Sequence, residues 1–164
     1  MIVIADTTPL ITLLKIRHLT ILRDLYGTVH IPRAVYNELT ENTDFSNEAE
    51  EIKHCPFLEV HDNISSERVD LLRRATGLDL GESEAIILAD ASDTKALIID
   101  EAHGRAVAEK MGIPITGVIG VIIAAYKKHI LNAEEVKQCI EIMRYSSRFI
   151  AESLYELVLS IIAN

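Results

Sequence analysis

The chain predicts an α/β fold, a doubly wound parallel sheet of four or five strands with helices on both faces. Two observations carry that prediction. Short, fully apolar runs, IVIA at 2–5 and ALII at 96–99, read as strands buried on both faces. Helical patterns separate such runs along the whole chain, and that alternation implies parallel pairing through right-handed crossovers.

The elements follow in order. Residues 2–5 form the first strand, and Asp6 ends it. Thr7 or Thr8 is expected to cap a helix carrying Leu10, Ile11, Leu13 and Leu14, with Pro9 early, where its missing N–H costs nothing. A short helix over 18–25 stops at Gly27, and TVHI at 28–31 is a second strand. Pro32 opens a helix to about Thr40, bearing Ala34, Val35, Glu38 and Leu39. The acidic stretch 41–51 predicts a loop and an exposed helix, and FLEV at 57–60 an edge strand. A helix over 65–76 buries Val69, Leu72 and Ala75. After the break at Gly77 and Asp79–Gly81 comes a long helix at 82–93, then the strand 96–99 ended by Asp100. A helix at 102–111, a short strand at 113–115 and helices at 117–129, 133–145 and 151–162 complete the chain.

Composition narrows the class. A chain of 164 residues, 49% hydrophobic and 25% charged, fits one ordinary globular domain, 1–164, with 130–164 as a helical C-terminal extension packing on the domain or on a partner. Acids outnumber bases 25 to 16, for a net charge of −9. That argues against a non-specific nucleic-acid coat, which needs basic surface. It argues less against a metal-dependent enzyme, whose ligand carboxylates add to the tally and are cancelled by bound ions. Cys55 and Cys139 show no zinc-type spacing and read as free thiols in a reducing compartment. The amino-terminal residues lack a basic n-region, and the longest apolar run, about 117–126, is too short to span a bilayer. The expectation is a cytoplasmic protein with no membrane association.

The chemistry lies at the strand ends. In doubly wound sheets, ligands sit outside the carboxyl edge, so Asp6 and Asp100 are delivered to one site by two strands. Glu38, on the inner stripe of its helix, can reach the same edge. So can Glu84, followed on its helix face by Ile87, Leu88 and Ala91; Glu82 is the reserve. Each acid alone has a plainer reading as a cap or a dipole-matched residue, and the convergence is what counts. Two bare carboxylates ~4 Å apart repel by about 4 kcal/mol at an effective dielectric of 20. A hard cation such as Mg2+ or Mn2+ removes that penalty, and with it the cluster suits hydrolysis of a phosphodiester. Arg105, one turn beyond Asp100, reads equally as a hold on a substrate phosphate and as part of a solvated helix face. Lys127 and Lys128 read as a solvated helix face, His103 as a surface histidine, and Tyr36, Tyr126 and Tyr155 as packing residues. No DxDx(T/V) nucleophile and no Gly-rich phosphate loop is present.

These residues resemble the PIN-domain family. Asp6 in IADTTPLITLLKI, with Thr7 behind it, is similar to the family's first acid and its Thr/Ser. Glu38 in IPRAVYNEL is similar to the second. LGESEAIILA resembles the third acidic site, where Glu84 aligns best with Glu82 nearby, and Asp100 in ALIIDEAHGRAVAEKMGIPITG resembles the fourth. DTTPLI, LGESEAI, LIIDEAHGR and SLYELVL together look like a prokaryotic subgroup of PIN-like proteins. The resemblance covers most of residues 1–125. It implies a three-layer fold and a Mg2+- or Mn2+-dependent endoribonuclease, with Asp6, Glu38, Glu84 and Asp100 as catalytic and metal residues, Glu82 as a further ligand, and Thr7 and Arg105 on the substrate. It further implies an RNA substrate, a homodimer, and a toxin restrained by a small antitoxin protein. The contrasting expectation is a PIN-like interaction or RNA-binding module without catalysis. Three features depart from the pattern: a glutamate where relatives have the third aspartate, Glu101 directly after Asp100, and a longer helical C-terminus.

Overall fold

A computed structural model describes residues 1–41, 44, 46–146 and 150–163. Among these residues, five strands, β1 (Ile2–Ala5), β2 (Val29–Pro32), β3 (Leu58–His61), β4 (Thr94–Ile98) and β5 (Ile115–Thr116), form one parallel sheet in the order β3-β2-β1-β4-β5. The helices are α1 (Thr7–Lys15), α2 (Ile21–Tyr26), α3 (Arg33–Glu41), α4 (Ser46–Lys53), α5 (Ser66–Thr76), α6 (Leu80–Asp90), α7 (Ala102–Lys110), α8 (Val118–Lys127), α9 (Ala133–Tyr145) and α10 (Glu152–Ile162).

Period-two alternation divides the core into two layers. Val3, Ala5, Val29, Ile31 and Ile98 face one side, against α1, α2, α8 and α9. Ile4, Leu97 and Ile99 face the other, against α6 and α7. Residues such as Ile4, Ala5, Ile31, Leu97 and Ile98 are fully buried, which is why these strands read as unbroken apolar runs. The result is the three-layer α/β arrangement expected.

The chain leaves β1 towards β2 and β3, then crosses back to place β4 on the other side of β1. The strand order therefore reverses between β1 and β4, and a crevice opens at their carboxyl ends. A backbone hydrogen bond of 2.9 Å from Asp6 N–H to the Ile98 carbonyl ties these ends together.

Several boundaries differ from the sequence reading. Asp6 takes the N-cap position of α1 in place of Thr7 or Thr8, because its extended backbone (φ −84°, ψ 170°) continues the strand. Pro32 is the last residue of β2, and α3 begins at Arg33. The helix expected from 82 starts at Leu80, since Asp79 and Glu82 form a reciprocal capping box. Ala75 and Ala91, expected on buried faces, are exposed, as α5 presents only Val69 fully inward and Ala91 is the C-cap of α6. Residues 42, 43 and 45 of the expected acidic loop lie outside the described residues.

The last helix packs on the body of the fold. Val158 is buried, and Leu154, Tyr155 and Ile162 lie against the larger core. The Tyr155 hydroxyl donates to Glu141, and Arg144 stacks 4.1 Å from the Tyr155 ring while pairing with Glu152 at 3.0 Å. No helix among the described residues is long and apolar enough to cross a membrane.

Candidate active site

Asp6 is carried by the carboxyl end of β1, the central strand, and is 3% exposed. Its side chain makes no capping hydrogen bond to α1. Burial raises its pKa to about 7, helped by the negative fields of Glu82, Asp79 and Glu38 and opposed by the Thr7 backbone N–H. A strand-end aspartate that served only as a helix cap would be held low by its N–H donors.

Glu38 reaches the same place from α3. The Thr7 hydroxyl donates a 2.8 Å hydrogen bond to its Oε2. Its other oxygen lies where a Cβ on Gly81 would stand, only 2.3 Å from that ideal position. Although Glu38 is exposed as a whole residue, its carboxylate end is packed against the first turn of α6. Local desolvation accordingly raises its pKa, with Asp79 and Glu84 adding to the rise and Thr7 opposing it.

Glu82, in the first turn of α6, is half-buried. Its pKa is raised by burial, then by Asp79, Glu101 and Glu38, while the Asp79 backbone opposes. Asp6, Glu38 and Glu82 thus share one negative field, and Asp79 and Glu101 border it.

Glu84 turns elsewhere. Its Oε1 accepts a 3.1 Å hydrogen bond from the Ala34 N–H, capping the start of α3 from outside the helix. It also lines a groove beside α5 with Ile64 and Arg73. It remains close enough to Glu38 to raise that group's pKa.

Asp100 follows β4 along the same edge. Its Oδ1 accepts a 3.0 Å hydrogen bond from the Val118 N–H at the start of α8. Here too a glycine makes room, for a Cβ on Gly117 would sit 2.6 Å from Asp100 Oδ1 and 3.1 Å from Arg105 Nη1. Arg105 donates from Nη1 to the Ile99 carbonyl at 2.8 Å. Asp100, Arg105, Thr116, Gly117, Ile119 and Leu154 line an open groove of ≈ 520 Å³. His103 bonds the Thr76 carbonyl at 2.7 Å, Arg33 pairs with Asp62 at 2.6 Å, and Lys127 and Lys128 are exposed.

The donor set at the edge is all carboxylate oxygen, suited to a hard divalent cation. The close fit of Glu38 against Gly81 and the proton-retaining burial of Asp6 are what residues arranged to share a cation would show without one. Among the described residues no three of these acids have ligand atoms all within 4.8 Å of one another; that distance is met only by His30, Glu59 and His61. Mg2+ characteristically keeps several waters, so a site for it does not require three side chains in direct reach of one another.

Sequence reading missed Asp79, Glu101 as a member of this field, and the two glycines. Asp79 was legible as the first residue of an Asp-x-x-Glu capping box. The glycines were not, because each is required by a contact between distant segments.

A family model described as a PIN domain matches residues 2–164, so the chain belongs to that family, whose members are generally nucleases. No curated protein and no solved structure matches the chain significantly.

Proposed function

We propose that this PIN domain is a Mg2+- or Mn2+-dependent endoribonuclease, with Asp6, Glu38 and Glu82 as the central ligands of its metal site and Asp100 as the acid on the substrate side. The supporting observation is that acids from three separate segments act on one another electrostatically beside the strand-order reversal, around an aspartate buried deeply enough to hold a proton near neutrality. A divalent cation there would neutralise the phosphodiester and help to deprotonate an attacking water.

The chain's own residues prepare that site. Thr7 fixes the rotamer of Glu38. Gly81 leaves room for the carboxylate beside the first turn of α6, whose N–H groups favour negative charge. Asp6 must give up its proton for a cation to bind, so ion binding and proton release are coupled. Arg105, beside Asp100 and Gly117 in the open groove, would hold an RNA phosphate and keep the scissile bond over the acids. Glu84 has a positioning role: by capping α3 it holds the helix that presents Glu38.

The test is cleavage of a single-stranded RNA with Mn2+ by the wild type, Asp6→Asn and Glu82→Gln, each with and without EDTA. Cleavage confined to the wild type without EDTA supports the reading. Undiminished cleavage by Asp6→Asn would falsify it. Cleavage by none, with RNA binding unaffected by EDTA, would favour a non-catalytic RNA-binding module.

A further inference from the structure

A second group of metal-ligating side chains lies away from the acidic edge and shares no residue with it. His30 is in β2, and Glu59 and His61 are two residues apart in β3, so the latter two project to the same face of the sheet. The parallel register pairs His30 with Glu59, which places all three on one face of the β2–β3 pair. His30 Nδ1 is 2.7 Å from His61 Nε2 and 3.8 Å from Glu59 Oε2. Among the described residues, this trio alone brings its His, Cys, Asp or Glu ligand atoms within 4.8 Å of one another.

We propose that His30, Glu59 and His61 form a binding site for a divalent transition-metal ion of the zinc class, clamping the edge strand β3 to β2. The donor chemistry selects the ion. Two imidazoles and a carboxylate suit Zn2+, Co2+ or Ni2+, whereas Mg2+ prefers an all-oxygen set such as the acidic edge supplies. The spacing fits as well. Two ligands of a tetrahedral zinc ion, at bonds of about 2.0–2.1 Å, lie roughly 3.3 Å apart. The two separations, 2.7 and 3.8 Å, straddle that value, so small side-chain rotations close the site.

The surroundings agree. Two ring nitrogens 2.7 Å apart cannot both carry a proton in the space between them, so at least one already presents a lone pair. The His30 side chain is 14% exposed and that of Glu59 60% exposed, so the histidine is held by its neighbours while the carboxylate closes from solvent. Water would complete the coordination on the open side. β3 is four residues long and, among the described residues, pairs with β2 alone, so a cross-strand ligand set would hold an edge that hydrogen bonds along one side secure less well.

The experiment is calorimetric titration of the full chain with Zn2+ in excess Mg2+, with a melting curve for each sample. The samples are wild type, His61→Gln, Glu59→Gln and, as the control, Glu82→Gln. One Zn2+ should bind to wild type and raise its melting temperature. His61→Gln should weaken that binding about tenfold or more, since losing even an outer-shell partner typically costs about 10–100-fold. Glu59→Gln, a change at an exposed side chain, should melt near wild type without Zn2+ and weaken binding in the same direction, and Glu82→Gln should leave it unchanged. Binding that survives both β3 substitutions, or that disappears in Glu82→Gln, would overturn the proposal by placing the ion elsewhere. Absence of any Zn2+ response in wild type would overturn it too, leaving the trio as a hydrogen-bonded histidine pair.

Discussion

The hydroxyl of Thr7 and the carboxylate of Glu38, separated by 31 residues in sequence, are joined by a 2.8 Å hydrogen bond. Thr7 opens the helix after β1 and Glu38 lies on the helix after β2, so one contact locks two crossovers together at the carboxyl edge. A hydrogen bond to a charged group contributes about 1.5–3 kcal/mol. Thr7→Val, which keeps the shape and removes the donor, is therefore expected to lower Mn2+ affinity about tenfold. Thr7→Ser should retain it. Titration of Mn2+ by calorimetry separates the two variants.

Gly81 makes a different kind of prediction. The atoms nearest to a methyl group there belong to the far end of the Glu38 side chain, which can swing away. Alanine is also the better helix former, by up to about 1 kcal/mol. Gly81→Ala should thus melt at the same temperature as wild type or higher in EDTA, yet lose most of the stabilisation by Mn2+. Equal metal responses in the two proteins would show that the position of Glu38 does not matter.

Glu82 and Glu84 should part company on mutation. Glu82→Gln removes charge from the shared acidic field and is expected to abolish the Mn2+-induced rise in melting temperature. Glu84→Ala removes the cap on Ala34 and should cost about 1 kcal/mol of stability while leaving a metal response in place. Denaturant melts with and without Mn2+ read both effects.

Asp6 predicts an inverted pH dependence. Its folded pKa of about 7 lies above the ordinary value of 3.8, so the folded state binds the proton more tightly than the unfolded chain does. Stability contributed by the neutral form is complete below about pH 4 and falls as pH rises from there through about 7. In EDTA, Asp6 should cost wild type on the order of 4 kcal/mol between those limits, and Asp6→Asn should make the profile shallower, leaving the weaker dependence of Glu38 and Glu82, and be the more stable protein at pH 8. With Mn2+ present the order should reverse, because the cation needs the ionised carboxylate. Chemical denaturation across pH 5–8 tests both halves.

Much of this architecture was readable from local pattern. A strand buried on both faces must be apolar at every position, so IVIA and ALII declare themselves without reference to anything distant. An aspartate that ends such a run is equally visible, which is why Asp6 and Asp100 emerge from sequence. Glu38 emerges too, as a charge among the apolar positions of α3.

Tertiary structure decided the rest, because the rest depends on direction and on distant neighbours. Residues two apart on a helix point about 200° from each other, so Glu82 and Glu84 cannot both face the edge. Which one does depends on where α3 packs, and α3 turns out to take Glu84 for its own first turn. Gly81 is explained only by Glu38, and Gly117 only by Asp100 and Arg105. The histidine–glutamate trio exists only through the register of β2 on β3, which a period-two pattern leaves open. Sequence determined the kind of elements and the residues that end them; packing determined which side chains meet.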